Sequence, residues 1–448
     1  MLRGFVRAVC LALVVGLGWY VVPGETRKDE LSMNLTPYEI VAGQYPEMPL
    51  APRPDSAQSS AEDDVAFEAW WDAMMARQGA RVAHPEALSQ FTAHTARLLV
   101  DARQGRTVYS PLSLWFELDL VARLTSGESR DQILKALGED TVESLTTQSA
   151  SLFASQYWDD GESACVPGAS LWLDAGVDIE PAAIEALDDR VSVFKGDMKE
   201  TGYNRAMQRW LDRMTRGMLS NEAAALRFED GIRLSLISTL YYRNRWQLPF
   251  PKEDTAPGVF HGPNGDTEAD FMHLTHCDAV YRGAGFTAVI RMLGNSERVV
   301  FVLPDVGLQP ADLMADDELF RFLNSPEDWA DQREAMVNFS MPRLDCASEL
   351  GLRESLEKLG IVDAFDALRA DFSEALRADE PLGLSSMLQI ARVTMDEEGV
   401  EAAAITISGV LGAMMTDEEM DFTLDRPFLF AILGQKNVPL FIGVVNEP

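Results

Sequence analysis

The sequence predicts an α+β fold built on large, mixed or antiparallel sheets, on three observations. Stretches with helical spacing come mostly early in the chain, strand-like stretches come mostly late, and no internal repeat runs through either. That order suits segregated helices and strands rather than a doubly wound sheet. The 448 residues, 47% of them hydrophobic, suffice for one large domain with a sizeable core or for two ordinary ones.

Taken in order, Ala87 to Ala102 places Leu88, Phe91, Leu98 and Leu99 at helical spacing. Ser113 to Leu124 and Arg130 to Leu137 read as the next helices. Asn204 to Met218 is amphipathic, with Met207, Trp210, Leu211 and Met214 at i, i+3, i+4 and i+7 on one face. Arg205, Arg209, Arg213 and Arg216 fall opposite, as a dock for a polyanion or as a solvated face on an acidic chain. Strand-like runs follow at Arg233 to Tyr242, Val299 to Leu303, Ala391 to Met395 and Phe428 to Leu433.

Ahead of this domain, Arg3 and Arg7 flank an apolar run from Ala8 to Val22, a secretory pattern. Trp19 and Tyr20 at its far end also suit an interfacial anchor. Residues 1–22 are therefore expected to be a signal peptide or a membrane anchor, with the remainder extracytoplasmic, secreted or tethered. Residues 23–84 read as a disordered linker rich in Pro, Ser, Asp, Glu and Gly. Within it, Asp63 to Arg77 forms one amphipathic helix carrying Val65, Phe67, Trp70, Trp71, Met74 and Met75, read as packing on the main domain or docking another protein. The main domain is expected over 85–448.

The formal net charge of −33 repels phosphate backbones and excludes nucleic acid as a partner. Cys10 lies in the apolar run, and Cys165, Cys277 and Cys346 lack zinc spacing, so they read as free, buried thiols. The histidines, His84, His94, His261, His273 and His276, accompany no GxSxG elbow, HExxH helix, phosphate loop or dinucleotide turn. His273, His276 and Cys277 as metal ligands, or Asp266, Glu268 and Asp270 as a calcium site, are weaker readings than ordinary strand and hairpin residues. No metal and no cofactor is expected.

One segment has an unusual composition. From Gly399 to Met415 the chain is rich in Gly and Ala, carries no charge after Glu401, and contains no proline. Val400, Ala402, Ala404, Thr406, Ser408 and Val410 would share one face, all small or β-branched, while Glu401 falls on the other. Such a strand could slide between two existing strands without bulk or buried charge. Left exposed, it is an aggregation hazard, and its composition is poor for a permanent strand.

With these residues on the page, the chain from about Pro85 to Pro448 resembles the serpin family. Ser110-Pro111-Leu112-Ser113 matches the family's SPLS motif, and Thr125-Ser126-Gly127 through Gln132 and Leu137 continues it. Trp210, Thr215 and Gly217 fit a helix motif, with Gln208 in place of asparagine. Trp246, Phe250, Thr255, Phe260 and Met272 form a spaced series typical of the family. Phe301-Val302-Leu303-Pro304, Met341-Pro342-Arg343-Leu344, Arg426-Pro427-Phe428-Leu429-Phe430 and the run from Pro439 to Pro448 are similar to later signatures.

The resemblance, of a bacterial type, implies three β-sheets, about nine helices and an exposed reactive-centre loop. It implies a monomeric, metastable inhibitor rather than an enzyme. Its partner would be a serine protease, or a cysteine protease, trapped covalently as the cleaved loop inserts into a sheet. The hinge would be Glu397, Gly399, Val400, Glu401, Ala402, Ala403, Ala404 and Thr406, with Val400 where threonine or serine is usual. The family's spacing places the scissile bond at Ala413–Met414, with Met414–Met415 or Leu411–Gly412 as alternatives. No Lys or Arg lies between Gly399 and Asp425, which points to elastase-, subtilisin- or chymotrypsin-like targets. A breach is expected at Arg343, Trp246 and Glu397, and a shutter at Ser110, Ser113, Ser238 and Gln389. Ser238 and Gln389 replace an asparagine and a histidine, and a hydroxyl–amide hydrogen bond between them would take that pair's place. The alternatives are a non-inhibitory carrier or chaperone and a surface interaction protein.

Overall fold

Several helices start on a capping side chain. Ser110 accepts a hydrogen bond from the Ser113 amide at 3.1 Å, Pro111 fills the first turn, and the helix runs Pro111–Leu124. Thr141 likewise accepts from the Ser144 amide at the head of Val142–Gln156. A computed structural model describes residues 37–51, 61–100, 105–400 and 418–448. Among the described residues are eleven α-helices and sheets of eight, nine and two strands. The α+β class and the three sheets are as the sequence implied. The extra helices include Pro181–Ala186, Ser220–Ala225 and Arg353–Lys358, each six residues long and too short to show a period.

The first sheet holds the features that matter for function. Its strands run in the order Glu39–Val41, Val191–Gly196, Ala164–Asp174, Leu234–Arg245, Gly399–Val400, Ser386–Met395 and Leu344–Gly351, with Trp158–Asp159 paired to Ala164–Asp174. Two neighbours, Leu234–Arg245 and Ser386–Met395, pair in parallel over Ser235–Ser238 and Ser386–Gln389. Further up, Gly399–Val400 sits between them and runs antiparallel to both. The seam is thus closed at one end and already parted by two residues at the other.

One helix covers each face of that seam. Met207, Trp210, Leu211 and Met214 of Thr201–Met214 pack with Ile237, Tyr241 and Ile390. This helix stops at Met214, short of the expected Met218, because Arg216 and Gly217 turn left-handed and the Gly217 amide bonds the Asp212 carbonyl at 2.8 Å. On the other face, Pro111–Leu124 is buried almost all round and packs against both Leu234–Arg245 and Pro439–Val445. Pro439–Val445 belongs to the second sheet, whose backbone is the long strand Gly265–Gly283. The third sheet pairs Val177–Ile179 with Leu376–Ala378.

The linker expected over 23–84 needs correction where it is described. Glu39–Val41 extends the edge of the first sheet. The Tyr45 hydroxyl donates to the Pro167 carbonyl at 2.9 Å, and Tyr157 donates to the Pro46 carbonyl at 2.8 Å. The helix Ala61–Gly79 packs on the domain: Trp70 Nε1 donates to Asp160 at 2.9 Å, and Arg77 is 4% exposed. The helix read at Asp63 to Arg77 is thus present and packs on the domain, whereas residues 37–51 dock through isolated contacts of Tyr45 and Pro46 that leave no period to read. Among the described residues no helix is long and apolar enough to cross a membrane, and residues 1–22 lie outside them.

Candidate functional site

The site is built where the strand Ser386–Met395 turns back on itself. Asp396 Oδ1 accepts from the amides of Glu398 at 2.8 Å and Gly399 at 3.2 Å, and this turn feeds Gly399–Val400 into the seam. Gly399 lies opposite Arg245, and Val400 lies between Asn244 and Met395. A Cβ on Gly399 would collide with the Asn244 carbonyl oxygen and press on Arg245 Cα at 2.8 Å, so the position requires glycine. Val400 is 1% exposed, which its apolar side chain favours over the hydroxyl of threonine or serine.

Three side chains lock the turn. Arg343 donates to Glu397 from Nε at 3.0 Å and from Nη2 at 2.6 Å, and the Thr255 hydroxyl adds a bond at 2.6 Å. Burial pushes the Glu397 carboxyl up, but the bonds from Arg343 and Thr255 outweigh it and hold the group below its ordinary value. Trp246 Nε1 donates to the Asp396 carbonyl at 2.8 Å. The expected grouping of Arg343, Trp246 and Glu397 is therefore assembled in space, with Thr255 as a further member.

Lower in the seam the expected bond is not made. Ser238 and Gln389 face each other in register, yet each turns to the helix Pro111–Leu124 and its cap. Gln389 accepts from the Ser110 amide at 2.7 Å and donates to the Ser110 carbonyl at 3.0 Å. The Ser238 hydroxyl donates to Glu117 at 2.8 Å. The direct hydroxyl–amide bond is corrected to two separate anchors, because a capping residue and a carboxyl below satisfy both side chains first. Ser113 lies beside them, donating its amide to Ser110.

Glu117 escaped the sequence reading. It is 1% exposed, burial pushes its carboxyl up to about 8, and the Ser238 bond only partly offsets this. Its signal was present: Glu117 and Asp119 interrupt an otherwise apolar run from Leu114 to Val121. A charge at a core position of a buried helix is informative in itself.

Other candidates separate. His273 and His276 are three apart on one strand and point to opposite faces. His276 Nδ1 pairs with Asp278 at 2.9 Å, and His261 with Asp266 at 2.8 Å beside the hairpin turn. Arg213 pairs with Glu39 at 4.0 Å, and Arg216 pairs with Asp159 beside the Tyr241 ring, so half of the basic stripe serves the fold. Cys165 and Cys346 are buried free thiols, while Cys277 is only half-buried. Glu401, Ala402, Ala403, Ala404, Thr406, Leu411, Ala413, Met414 and Met415 lie outside the described residues.

Fold and site together define an α+β protein whose sheet parts around the first residues of a loop from its own chain. The chain belongs to the serpin family, whose model, described as serpin (serine protease inhibitor), matches residues 86–448. That family comprises protease inhibitors and non-inhibitory members rather than enzymes. An alpha-1-antiproteinase from Callosciurus caniceps is 27% identical over 81% of this chain and 88% of its own length. The native-state crystal structure of the thermophilic serpin tengpin superposes with a TM-score of 0.74 at 21% identity, over 81% of this chain and 94% of that one. Human thyroxine-binding globulin complexed with its hormone gives a TM-score of 0.68 at 18% identity, over 84% and 98%.

Proposed function

We propose that this protein is an inhibitory serpin, a single-use substrate for an extracytoplasmic serine protease. One observation carries the reading. Gly399–Val400 already occupies the seam between Leu234–Arg245 and Ser386–Met395, antiparallel to both. Two parallel strands leave room for an antiparallel strand to complete both ladders. Ala402, Ala404, Thr406, Ser408 and Val410, which alternate onto one face, are small or β-branched, and the run is uncharged from Ala402 and free of proline, which supports continued insertion.

The chemistry belongs to the protease. Its serine oxygen attacks the carbonyl of Ala413, the bond to the Met414 nitrogen breaks, and Met414 leaves as an amine with the transferred proton. The loop from Gly399 onward is then free at one end and can zip down the seam, carrying the acylated protease with it. Water hydrolysis of the ester is the competing step. The bait Leu411 to Met415 has no basic residue, which favours elastase-, subtilisin- or chymotrypsin-like enzymes. The inhibitor acts as a monomer, secreted or held by its N-terminal segment.

Incubation with a panel of such enzymes is expected to give a complex stable in SDS, with the protease linked to the residue before the cut. Complete loop cleavage without any complex would overturn the inhibitory reading. A second reading, a non-inhibitory carrier, draws on the thyroxine-bound globulin and on a rice relative named putative non-inhibitory serpin-10, 28% identical over 77% of this chain. It is distinguished by a loop whose cleavage leaves thermal stability unchanged.

A further inference from the structure

Arg392 lies on Ser386–Met395, one border of the seam, and is shared between two parts of the molecule. Nε and Nη2 each donate to Asp345 on the neighbouring strand Leu344–Gly351 at 2.8 Å. Nη1 donates to the Met218 carbonyl at 3.0 Å and pairs with Glu222 at 3.5 Å. Met218 and Glu222 follow the helix Thr201–Met214, and Gln208 of that helix donates to the Leu226 carbonyl at 3.0 Å, which holds their segment to it. The second Glu222 oxygen is buried without a hydrogen-bond partner, so the carboxyl leans on Arg392 for the charge that offsets its burial.

The same helix is fastened to the opposite side of the seam. The Tyr203 hydroxyl donates to the Leu173 carbonyl at 3.0 Å, Arg213 pairs with Glu39, and Arg216, just past the last turn, pairs with Asp159. Leu173, Glu39 and Asp159 all belong to strands on the Leu234–Arg245 flank. On the Ser386–Met395 flank, Ile390 packs beneath the helix, but apolar contact is non-directional and tolerates sliding. The bonds of Arg392 are directional and do not. A strand set between the two flanks moves them apart by about 4.8 Å. Asp345 travels with Arg392, whereas Met218 and Glu222 travel with the helix, and bonds of 3.0 and 3.5 Å do not survive such a displacement.

We propose that Arg392 is a latch across the seam: it ties the covering helix to the far flank in the intact molecule and must release Met218 and Glu222 before that flank can move. The inference rests on the inserting role proposed above and names a positioning residue for it. The latch stabilises the closed sheet alone, so it sets how long the intact molecule waits. Once the flanks have parted it contributes nothing, and Arg392 keeps only the partner on its own side.

The test follows the full-length protein on native gels as mild heating converts it to latent or polymeric forms. Arg392→Met is expected to speed conversion about tenfold and Glu222→Gln about threefold, while Asp345→Asn, which removes a bond confined to one flank, stays within about twofold of wild type. Guanidinium unfolding, before and after limited proteolysis in the loop, supplies a readout that a merely structural role would not give. Glu222→Gln should lower the midpoint of the intact form and leave that of the cleaved form unchanged, whereas Asp345→Asn should lower both alike. Wild-type conversion rates in Arg392→Met, or equal losses from Glu222→Gln in the two forms, would overturn the latch. Glu222→Gln is nearly isosteric and keeps the test decisive if Arg392→Met does not fold. A wild-type midpoint unchanged by cleavage would instead overturn insertion itself, and the latch with it.

Discussion

Glu397 is held by groups from two other parts of the chain, Arg343 and Thr255, and its side chain is 5% exposed. Arg343→Glu would set a second carboxylate against it at the point where the loop meets the sheet. Arg343 is 48% exposed, so solvent discounts the cost to roughly 1–3 kcal/mol. The expected outcome is polymer or latent protein on native gels, and a purely monomeric variant would contradict it. Glu117 predicts a pH effect. Its folded-state carboxyl lies near 8 against an ordinary value of 4.5, so the folded protein keeps a proton that the unfolded chain loses in between. This contribution to stability is complete below pH about 4.5 and declines as pH rises to about 8. The unfolding free energy of the wild type, taken from urea titrations, should therefore fall across that window relative to Glu117→Gln, by at most about 5 kcal/mol in total. Parallel curves would contradict it. Arg343, Trp246 and Glu397 were legible because they lie in motifs that resemble those of the family. The Ser238–Glu117 bond was not, since it joins a strand to a helix 121 residues earlier.

At the scale of elements, the helix Ala61–Gly79 lies before the family match yet reaches the strand that borders the loop. Arg77 donates to the carbonyls of Ser155 at 3.1 Å and Gln156 at 2.8 Å, pairs with Glu297, and lies over the Trp158 ring. Glu297, 2% exposed, also accepts from Tyr242 at 2.6 Å and Asn244 at 2.9 Å. Removing one member of a buried pair leaves the other charge uncompensated. Arg77→Met is expected to cost about 2–4 kcal/mol, with part recovered when Glu297→Gln is added. A loss below about 0.5 kcal/mol in thermal or urea unfolding would show that the helix is dispensable. The periodic helix Thr201–Met214 and the continuous apolar run Phe428–Leu433 were readable, the latter to the residue. Val142–Gln156 was missed because Thr, Ser and Gln fill much of a helix whose packing, not propensity, decides it.

At the scale of the whole molecule, a sheet closed at one end and parted at the other is a fold short of its most bonded arrangement. Cleavage in the loop is expected to raise the melting temperature. If the new central strand contributes even ~5 kcal/mol, a domain of this size gains about 6–7 °C. Scanning calorimetry of intact and cleaved protein measures it, and identical melting would contradict the inserting mechanism. Glu397 would stay at the mouth of the seam in both forms, while Ser238 and Gln389 would exchange partners.

The edge strand Glu39–Val41 gives that rearrangement a mechanical side. It lies on one flank of the seam and Leu344–Gly351 on the other. A full strand wedged between them widens the sheet by about 4.8 Å. On the proposed mechanism, everything fastened to the Glu39–Val41 flank then travels relative to Leu344–Gly351, and a load pulling those two edges apart or together would add to or subtract from the force that moves the loop.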